Sequence, residues 1–198
     1  SLSVDPLTKT TLDASFNIAS LVNKDGSSGL LSFESSNNNV AIISENRVVI
    51  VGAGTSTITV NIAASANGVY TAATATATLI VNKVVPSLSL SVDPDPLIKT
   101  TLDASFNIAS LVNTDGSSGL LTFESSENNV AIISENRVVI VGAGTSTITV
   151  NIAASADGKY AQSSITRTIT VNKVVPSLSL ASLTKLTTDP SFNLTPLV

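Results

Sequence analysis

Apolar and polar residues alternate with a period of two along most of the chain. In residues 57–62, Ile58, Val60 and Ile62 fall on one face, and hydroxyl and amide side chains fall on the other. Successive side chains of a β-strand point to opposite faces, so this pattern predicts a half-buried strand. No stretch keeps a helical spacing of apolar residues. The sequence therefore predicts an all-β protein.

Turn-forming residues divide the alternating pattern into short strands. Asp25-Gly26, Ser44-Glu45-Asn46 and Gly52-Ala53-Gly54 interrupt it, and Asn67-Gly68 predicts a tight hairpin because these residues accept positive φ. With a short first strand added, the count is about seven strands in about 90 residues, which is typical of an immunoglobulin-like Greek-key β-sandwich. The predicted strands span residues 15–21, 30–35, 40–43, 47–51, 55–64 and 74–82.

The inward face of these strands supplies the predicted core. Each inward residue recurs 90 positions later, as Phe16 and Phe106 show. We expect burial of Phe16, Ile18, Leu31, Phe33, Ile58, Val60 and Ile62, together with their counterparts in the repeat.

That recurrence reflects an internal repeat. Residues 7–86 reappear almost unchanged as residues 97–176, and a third, incomplete copy begins near Ser177. A long period with a complete hydrophobic pattern in each copy is typical of a modular array. The prediction is one immunoglobulin-like repeat in residues 1–85, a second in residues 86–175, and the start of a third in residues 176–198.

The junction between the copies contains no flexible tether. Residues 83–86 (Lys-Val-Val-Pro) lead directly into Ser87-Leu88-Ser89-Leu90, the predicted first strand of the second copy. Proline restricts the backbone, at Pro86 and again at Pro94 and Pro96. We expect a semi-rigid arrangement of neighbouring modules.

Composition narrows the possible chemistry. The 198 residues include no Cys, His, Met or Trp, which leaves most nucleophilic and metal-assisted mechanisms without their usual groups. The net charge is −4 with only ten Lys and Arg, so the sequence offers no basic surface for nucleic acid. The apolar runs are too short for a membrane helix, which needs about 20 residues. We predict no enzyme activity, no catalytic, cofactor or metal site, no cofactor, no nucleic-acid partner and no membrane insertion.

A set of short motifs resembles the bacterial immunoglobulin-like domain of the second group. The motifs are Phe33-Glu34-Ser35-Ser36, Val40-Ala41-Ile42 and the corner from Gly52 to Thr59, in this order. Phe33 and Phe123 stand where the family often has Trp. The resemblance implies a β-sandwich of a bacterial or phage surface protein, similar to intimin-like and invasin-like adhesins, in which such domains act mostly as spacers.

Two weaker residue sets could carry chemistry. Asp93 and Asp95 at the junction could bind Ca²⁺, although a solvated Pro-Asp turn explains them better because the first copy has only Asp5 there. Lys9, Glu34 and Asn82 offer the amine, acid and amide of an internal isopeptide cross-link, but each residue is common on strands and chance is the better explanation.

Differences between the copies concentrate in the final hairpin. Only four positions differ between residues 7–66 and their counterparts, whereas most positions from Asn67 to Ile80 differ. We interpret this as drift on an exposed hairpin rather than as a tuned contact surface. Ala77 becomes Arg167 on an apolar strand face, which predicts a bulge or a sheet-edge position there.

The sequence predicts a structural spacer of an extracellular fibre, stalk, filament or adhesin, on a cell or virion surface. The alternative is a carbohydrate- or protein-binding domain that uses end loops or the variable hairpin, with a glycan or protein receptor as partner. The third copy includes Phe192 and Leu194 in the pattern of Phe16 and Ile18, but not the strands that would cover them. We expect either a continuing module or strand pairing with another chain, which would build a fibre.

Overall fold

The computed structural model describes residues 6–91, 97–179, 182, 184, 186–188 and 190. Over these residues the protein is built from β-strands, with two short 3₁₀ turns at Ala19–Leu21 and Ala109–Leu111. The strands of the first copy are β1 (Leu7–Thr10), β2 (Phe16–Asn17), β3 (Leu31–Ser35), β4 (Ala41–Ser44), β5 (Arg47–Ile50), β6 (Gly54–Ile62) and β7 (Ala73–Asn82). The remaining strands are β8 (Ser89–Leu90), β9 (Leu97–Thr100), β10 (Phe106–Asn107), β11 (Val112–Asn113), β12 (Leu121–Ser125), β13 (Ala131–Ser134), β14 (Arg137–Ile140), β15 (Gly144–Ile152) and β16 (Ser163–Asn172).

Each copy forms an immunoglobulin-like Greek-key β-sandwich. In the first copy a four-stranded sheet has the order β1-β7-β6-β3, and a three-stranded sheet has the order β2-β5-β4. The second copy repeats both sheets as β9-β16-β15-β12 and β10-β14-β13. Strand β1 runs parallel to β7, whereas the other pairs of the first copy are antiparallel. The chain crosses between the sheets several times, so the apolar faces of both sheets meet in one core.

The predicted core face is the buried face, although the depth of burial varies. Ile18, Ile58 and Val60 are buried, as are their counterparts in the second copy. The prediction is wrong for Phe16, Leu31, Phe33 and Ile62, which are only half-buried, whereas Ile152, the counterpart of Ile62, is buried as predicted. Strand β3 is the edge of its sheet and therefore leaves part of Leu31 and Phe33 uncovered.

The centre of the core lies on strands that the sequence pattern did not emphasise. Leu79 on β7 and Val48 on β5 have no exposed surface. They pack in one cluster with Ile18 and Ile58, which joins the two sheets. Leu79 is central because β7 lies between β1 and β6.

A buried serine also connects the two sheets. Ser56 on β6 is 1% exposed, and its hydroxyl lies 2.9 Å from that of Ser35 and accepts the Asn37 backbone N–H at 3.1 Å. The Ser35 hydroxyl donates to the carbonyl of Ala41, the first residue of β4, at 2.7 Å. A buried polar group is costly unless it is hydrogen-bonded, so this network explains why the Phe-x-Ser-Ser and Gly-Thr-Ser motifs occur together.

The strand predicted over residues 15–21 is shorter in the structure. Strand β2 ends at Asn17, and the 3₁₀ turn follows at once. The Asn17 side chain accepts the Ala19 backbone N–H at 2.9 Å, and the Ser20 hydroxyl donates to the Asn17 carbonyl. Asn and Ser side chains compete with strand pairing in this way, which is why the alternating pattern alone is misleading here.

The tight hairpin predicted at Asn67-Gly68 is also wrong. Pairing between β6 and β7 closes at Ile62 and Ala73, so a longer loop connects the strands. Gly68 does have positive φ, at 71°, but the Asn67 side chain accepts from the Ser65 hydroxyl and the Val69 N–H. These bonds stabilise a wider loop within residues 63–72.

Arg167 lies in a regular strand rather than at a bulge. It pairs with Ile148 in an unbroken register between β15 and β16, which contradicts the predicted bulge. The parallel pairing of β9 begins at Ile169, so Arg167 lies beyond the described part of that ladder. Its Nε is buried and has no hydrogen-bond partner among the described residues. The side chain is half-buried, and at this point β16 has a described strand partner on one side only, which agrees with the predicted sheet-edge position.

Gly29 provides a test of the loop packing. A Cβ at this position would lie 2.0 Å from the Ala63 carbonyl oxygen, so Gly29→Ala must displace the backbone. We expect the free energy of unfolding of the first copy to fall by about 1–3 kcal/mol, the usual range for overpacking. Gly68→Asn is the control, since a Cβ there meets nothing within 4 Å and Asn tolerates positive φ. Equal urea midpoints for both variants would contradict this packing.

Candidate functional site at the junction of the two copies

The segment that joins the copies, residues 83–90, is hydrogen-bonded to the second copy along its length. After β7 ends at Asn82, the Val84 N–H donates to the Lys159 carbonyl at 3.0 Å, and the Ala161 N–H donates to the Val84 carbonyl at 2.8 Å. The two bonds form a parallel bridge between Val84 and Tyr160. We call residues 83–90 the junction segment.

The second half of the junction segment contains two buried residues, Pro86 and Leu90, and contacts the second copy. Pro86 is fully buried, and the Ser87 N–H donates to the Asp115 carboxylate at 3.1 Å. Strand β8 pairs with β11, opposing Leu90 to Val112. Leu90 is 5% exposed and packs in the core of the second copy. The junction segment is thus part of the second sandwich as well as its connection to the first.

One contact also links the body of the first copy to the second. The Thr11 hydroxyl donates to the Lys159 carbonyl at 2.6 Å, so this oxygen accepts from Thr11 and from Val84. Both bonds use the backbone of residue 159. A contact through the backbone tolerates different side chains, which explains how the variable hairpin can lie at the junction.

The loop that carries Lys159 has a fixed internal geometry. The Ser155 hydroxyl donates to the Asp157 carboxylate and accepts the Tyr160 N–H at 2.9 Å, while the Ser155 N–H donates to the Tyr160 carbonyl at 3.1 Å. The Ser155 hydroxyl and the Lys159 backbone N–H lower the pKa of Asp157 below the ordinary value for aspartate. Lys159 Nζ lies 3.7 Å from the same carboxylate. In the first copy Asn67 takes the place of Asp157.

The corresponding face of the first copy contains a pocket of about 320 Å³. It is lined by residues that include Val22, Asp25, Leu31, Ile62 and Tyr70. Tyr70 is 38% exposed, and its hydroxyl would lie 3.3 Å from a Cβ at Gly26. The lining combines the Asp25 carboxylate, the Lys24 amine, the Tyr70 ring and several aliphatic, amide and hydroxyl side chains, which suits a peptide or another ligand with both apolar and hydrogen-bonding groups.

The proposed isopeptide residues do not come together. Lys9 lies on β1 and Glu34 on β3, at opposite edges of the four-stranded sheet, with two strands between them. Strands lie about 4.8 Å apart, so the side chains are separated by three such spacings. Asn82 pairs with Thr10 rather than with Lys9, and the Lys9 amine lies 5.1 Å from the centre of the Phe16 ring. This arrangement is a cation–π contact and does not support a cross-link.

The other candidate positions are only partly described. Asp93 and Asp95, the candidate calcium ligands, lie outside the described residues, as do Phe192 and Leu194 of the third copy. Over the described residues no group of three or more acidic, His or Cys side chains is placed to hold a metal ion. In the same part of the chain, no helix is both long and apolar enough to cross a membrane.

The sequence pattern indicates the junction segment but not the residues that form the contacts around it. Asp115, Tyr160 and Thr11 gave no signal by pattern, because each has an identical or similar counterpart in the other copy. One feature of the sequence could have indicated this contact. Tyr70 and Tyr160 are the only tyrosines of the chain, and each lies beside a loop whose other residues mostly differ between the copies.

Several solved structures are similar to this chain. No family model and no curated protein sequence matches the chain. Domains 1–6 of the surface-layer protein SbsC are 18% identical, with 76% of this chain and 21% of that one covered at a TM-score of 0.35. A SusE-like surface-located polysaccharide-binding protein of Bacteroides thetaiotaomicron is 14% identical, with 85% and 33% covered at 0.31. A C-terminal fragment of intimin in complex with a receptor domain is 16% identical, with 87% and 64% covered at 0.30.

This chain therefore spans a third or less of the first two of these structures. Similarity at this level carries no argument about function.

Proposed function

We propose that the chain is a structural spacer of an extracellular or virion-surface stalk, fibre or adhesin, and that it performs no catalysis. The junction segment is the observation that supports this role. It leaves the last strand of one sandwich and is at once hydrogen-bonded to, and buried in, the next. Such a connection transmits orientation from module to module, which a spacer requires and a flexible tether does not provide.

Burial of the junction segment also supports the proposed module boundaries. We place the first module at residues 1–85, the second at 86–175 and the start of a third at 176–198. Pro86 is fully buried and Leu90 packs in the second core, so a boundary before Pro86 keeps each core within one module. We further propose that both modules are bacterial immunoglobulin-like domains of the second group. Phe33 and the network of Ser35 and Ser56 support this assignment, because they give the family motifs a structural role.

Ligand binding is the second candidate function. The pocket beside Tyr70 favours it, since a partly exposed aromatic ring next to polar groups suits a carbohydrate. A glycan-array screen of the whole chain separates the two candidates. The spacer proposal expects no specific glycan signal. A specific signal that disappears in Tyr70→Ala and persists in Tyr160→Ala would assign binding to this pocket and overturn the purely structural role.

A further inference from the structure

The junction segment occurs twice in the chain. Residues 173–180 repeat residues 83–90 letter for letter, as Lys-Val-Val-Pro-Ser-Leu-Ser-Leu. The first occurrence is seated on a sandwich, whereas the described part of the second, residues 173–179, has no regular structure and is exposed. Pro86 is fully buried and Pro176 is exposed, and Leu88 is half-buried where Leu178 is 80% exposed. We call residues 173–179 the tail segment.

The surface that seats the junction segment also occurs twice. Asp25 corresponds to Asp115, and Val22 to Val112. The backbone groups of residues 69 and 71 correspond to the carbonyl of Lys159 and the N–H of Ala161. The loop around them has the same internal bonds, since the Tyr70 N–H donates to the Ser65 hydroxyl at 2.9 Å, as in the second copy. The first copy thus has the same carboxylate at Asp25 and the same backbone groups at residues 69 and 71 as the second copy has at the matching positions.

On the first copy no hydrogen bond among the described residues joins the Val69 carbonyl or the Thr71 N–H to another segment, whereas Val22 already takes part in a strand bridge. Val69 is 67% exposed, and Ile62 is half-buried although its counterpart Ile152 is 1% exposed. The pocket of about 320 Å³ lies on this side. In the second copy the equivalent region packs against Leu90 and is hydrogen-bonded to Val84. The difference in exposure matches the presence or absence of a seated segment.

We propose that the face of the first copy around Asp25, Ile62, Val69 and Tyr70 binds the tail segment of a second copy of this chain. The tail of one molecule takes the position that the junction segment takes inside the molecule, and Thr101 takes the role of Thr11. Such a contact joins two different surfaces, so it is heterologous and propagates from head to tail into a linear assembly. The inference rests on the proposed spacer function, which it deepens by naming the partner.

Self-association of the full chain tests the proposal. Within one chain the same contact is favoured by an effective concentration of about 1 mM, which a contact between two chains lacks. The protein concentration must therefore be raised to about 1 mM in the experiment. We expect the weight-average mass in light scattering to rise above the monomer value of 20.2 kDa as the concentration increases. A mass that stays at the monomer value throughout the series overturns the proposal.

Two single variants locate the contact. Pro176→Glu places a charge at the position whose counterpart, Pro86, is fully buried, and Asp25→Gly removes the acceptor while tolerating the φ of 47° at this position. We expect each to weaken association at least tenfold, about the effect of losing one hydrogen bond to a charged group. Val175→Glu is the matched control, because Val85 stays 65% exposed even when seated. Association that survives Pro176→Glu, or that Val175→Glu weakens equally, overturns the assignment.

A third measurement separates this proposal from the spacer function. Titration of the isotope-labelled chain with a synthetic Lys-Val-Val-Pro-Ser-Leu-Ser peptide should shift the amide NMR signals of Asp25, Tyr70 and Thr71. Shifts confined to other surfaces overturn the proposed binding face. Either failure leaves the fixed orientation of the two copies intact, and the spacer function is tested separately by that orientation.

Discussion

Leu79→Ala is expected to lower the free energy of unfolding of the first copy by about 2–5 kcal/mol. Leu79 has no exposed surface and pairs with Leu7 on one side and Ser56 on the other. Removing its side chain leaves a cavity between the two sheets, in a domain whose total stability is of the order of 5–15 kcal/mol. The first copy should therefore unfold at a much lower urea concentration than in the parent.

The chain has suitable intrinsic probes for this measurement. It has no Trp and two tyrosines, Tyr70 in the first copy and Tyr160 in the second. Tyrosine fluorescence in Tyr160→Phe and Tyr70→Phe backgrounds reports each copy separately. Ile169→Ala is the matched control, because Ile169 is the buried counterpart of Leu79 and should shift the second transition instead. An unchanged midpoint for Leu79→Ala would show that the core lies elsewhere.

Leu90→Ala should destabilise the second copy by a similar amount, about 2–5 kcal/mol, although Leu90 precedes β9, the first strand of the repeated pattern. The reason is that Leu90 is 5% exposed, pairs with Val112 and packs in the second core. Urea unfolding followed at Tyr160 measures the effect. Val85→Ala is the control, since Val85 is 65% exposed and its loss should leave the transition unchanged.

Two outcomes would contradict this prediction. If Leu90→Ala leaves the second transition at its parental midpoint, the junction segment is not part of the second fold. If it lowers the first transition instead, the segment belongs to the first copy. In either case the connection could not hold the two modules in a fixed orientation.

Much of the fold could be predicted from the period-two pattern, because burial of one strand face dictates it directly. Ile18, Ile58 and Val60 were predicted as core and are buried. The pattern fails where side chains bond to the local backbone, as at Asn17 and Asn67, since those bonds replace strand pairing without changing hydrophobicity. It also fails for the depth of burial of Phe33, which depends on β3 being an edge strand.

The junction was only half predictable for a related reason. Pro86 and the lack of a flexible tether predicted a stiff connection, and in the structure the junction segment is hydrogen-bonded to the second copy. The groups that accept hydrogen bonds from the junction segment are the Asp115 carboxylate and the Lys159 carbonyl. Tertiary structure brings them to the segment, and no local sequence pattern encodes that. Arg167 is similar, because only the strand register shows that it opposes Ile148 without a bulge.

The orientation of the two copies is the most direct test of the spacer proposal. The chain has no Cys, so Ser44→Cys and Ser134→Cys, both exposed and equivalent in the repeat, can carry a unique pair of spin labels. Double electron–electron resonance then gives the distribution of distances between the copies. A semi-rigid spacer should give one narrow distance, which broadens in Pro86→Glu because a charged side chain cannot stay in the buried position of Pro86. A broad distribution in the parent chain would contradict the semi-rigid spacer.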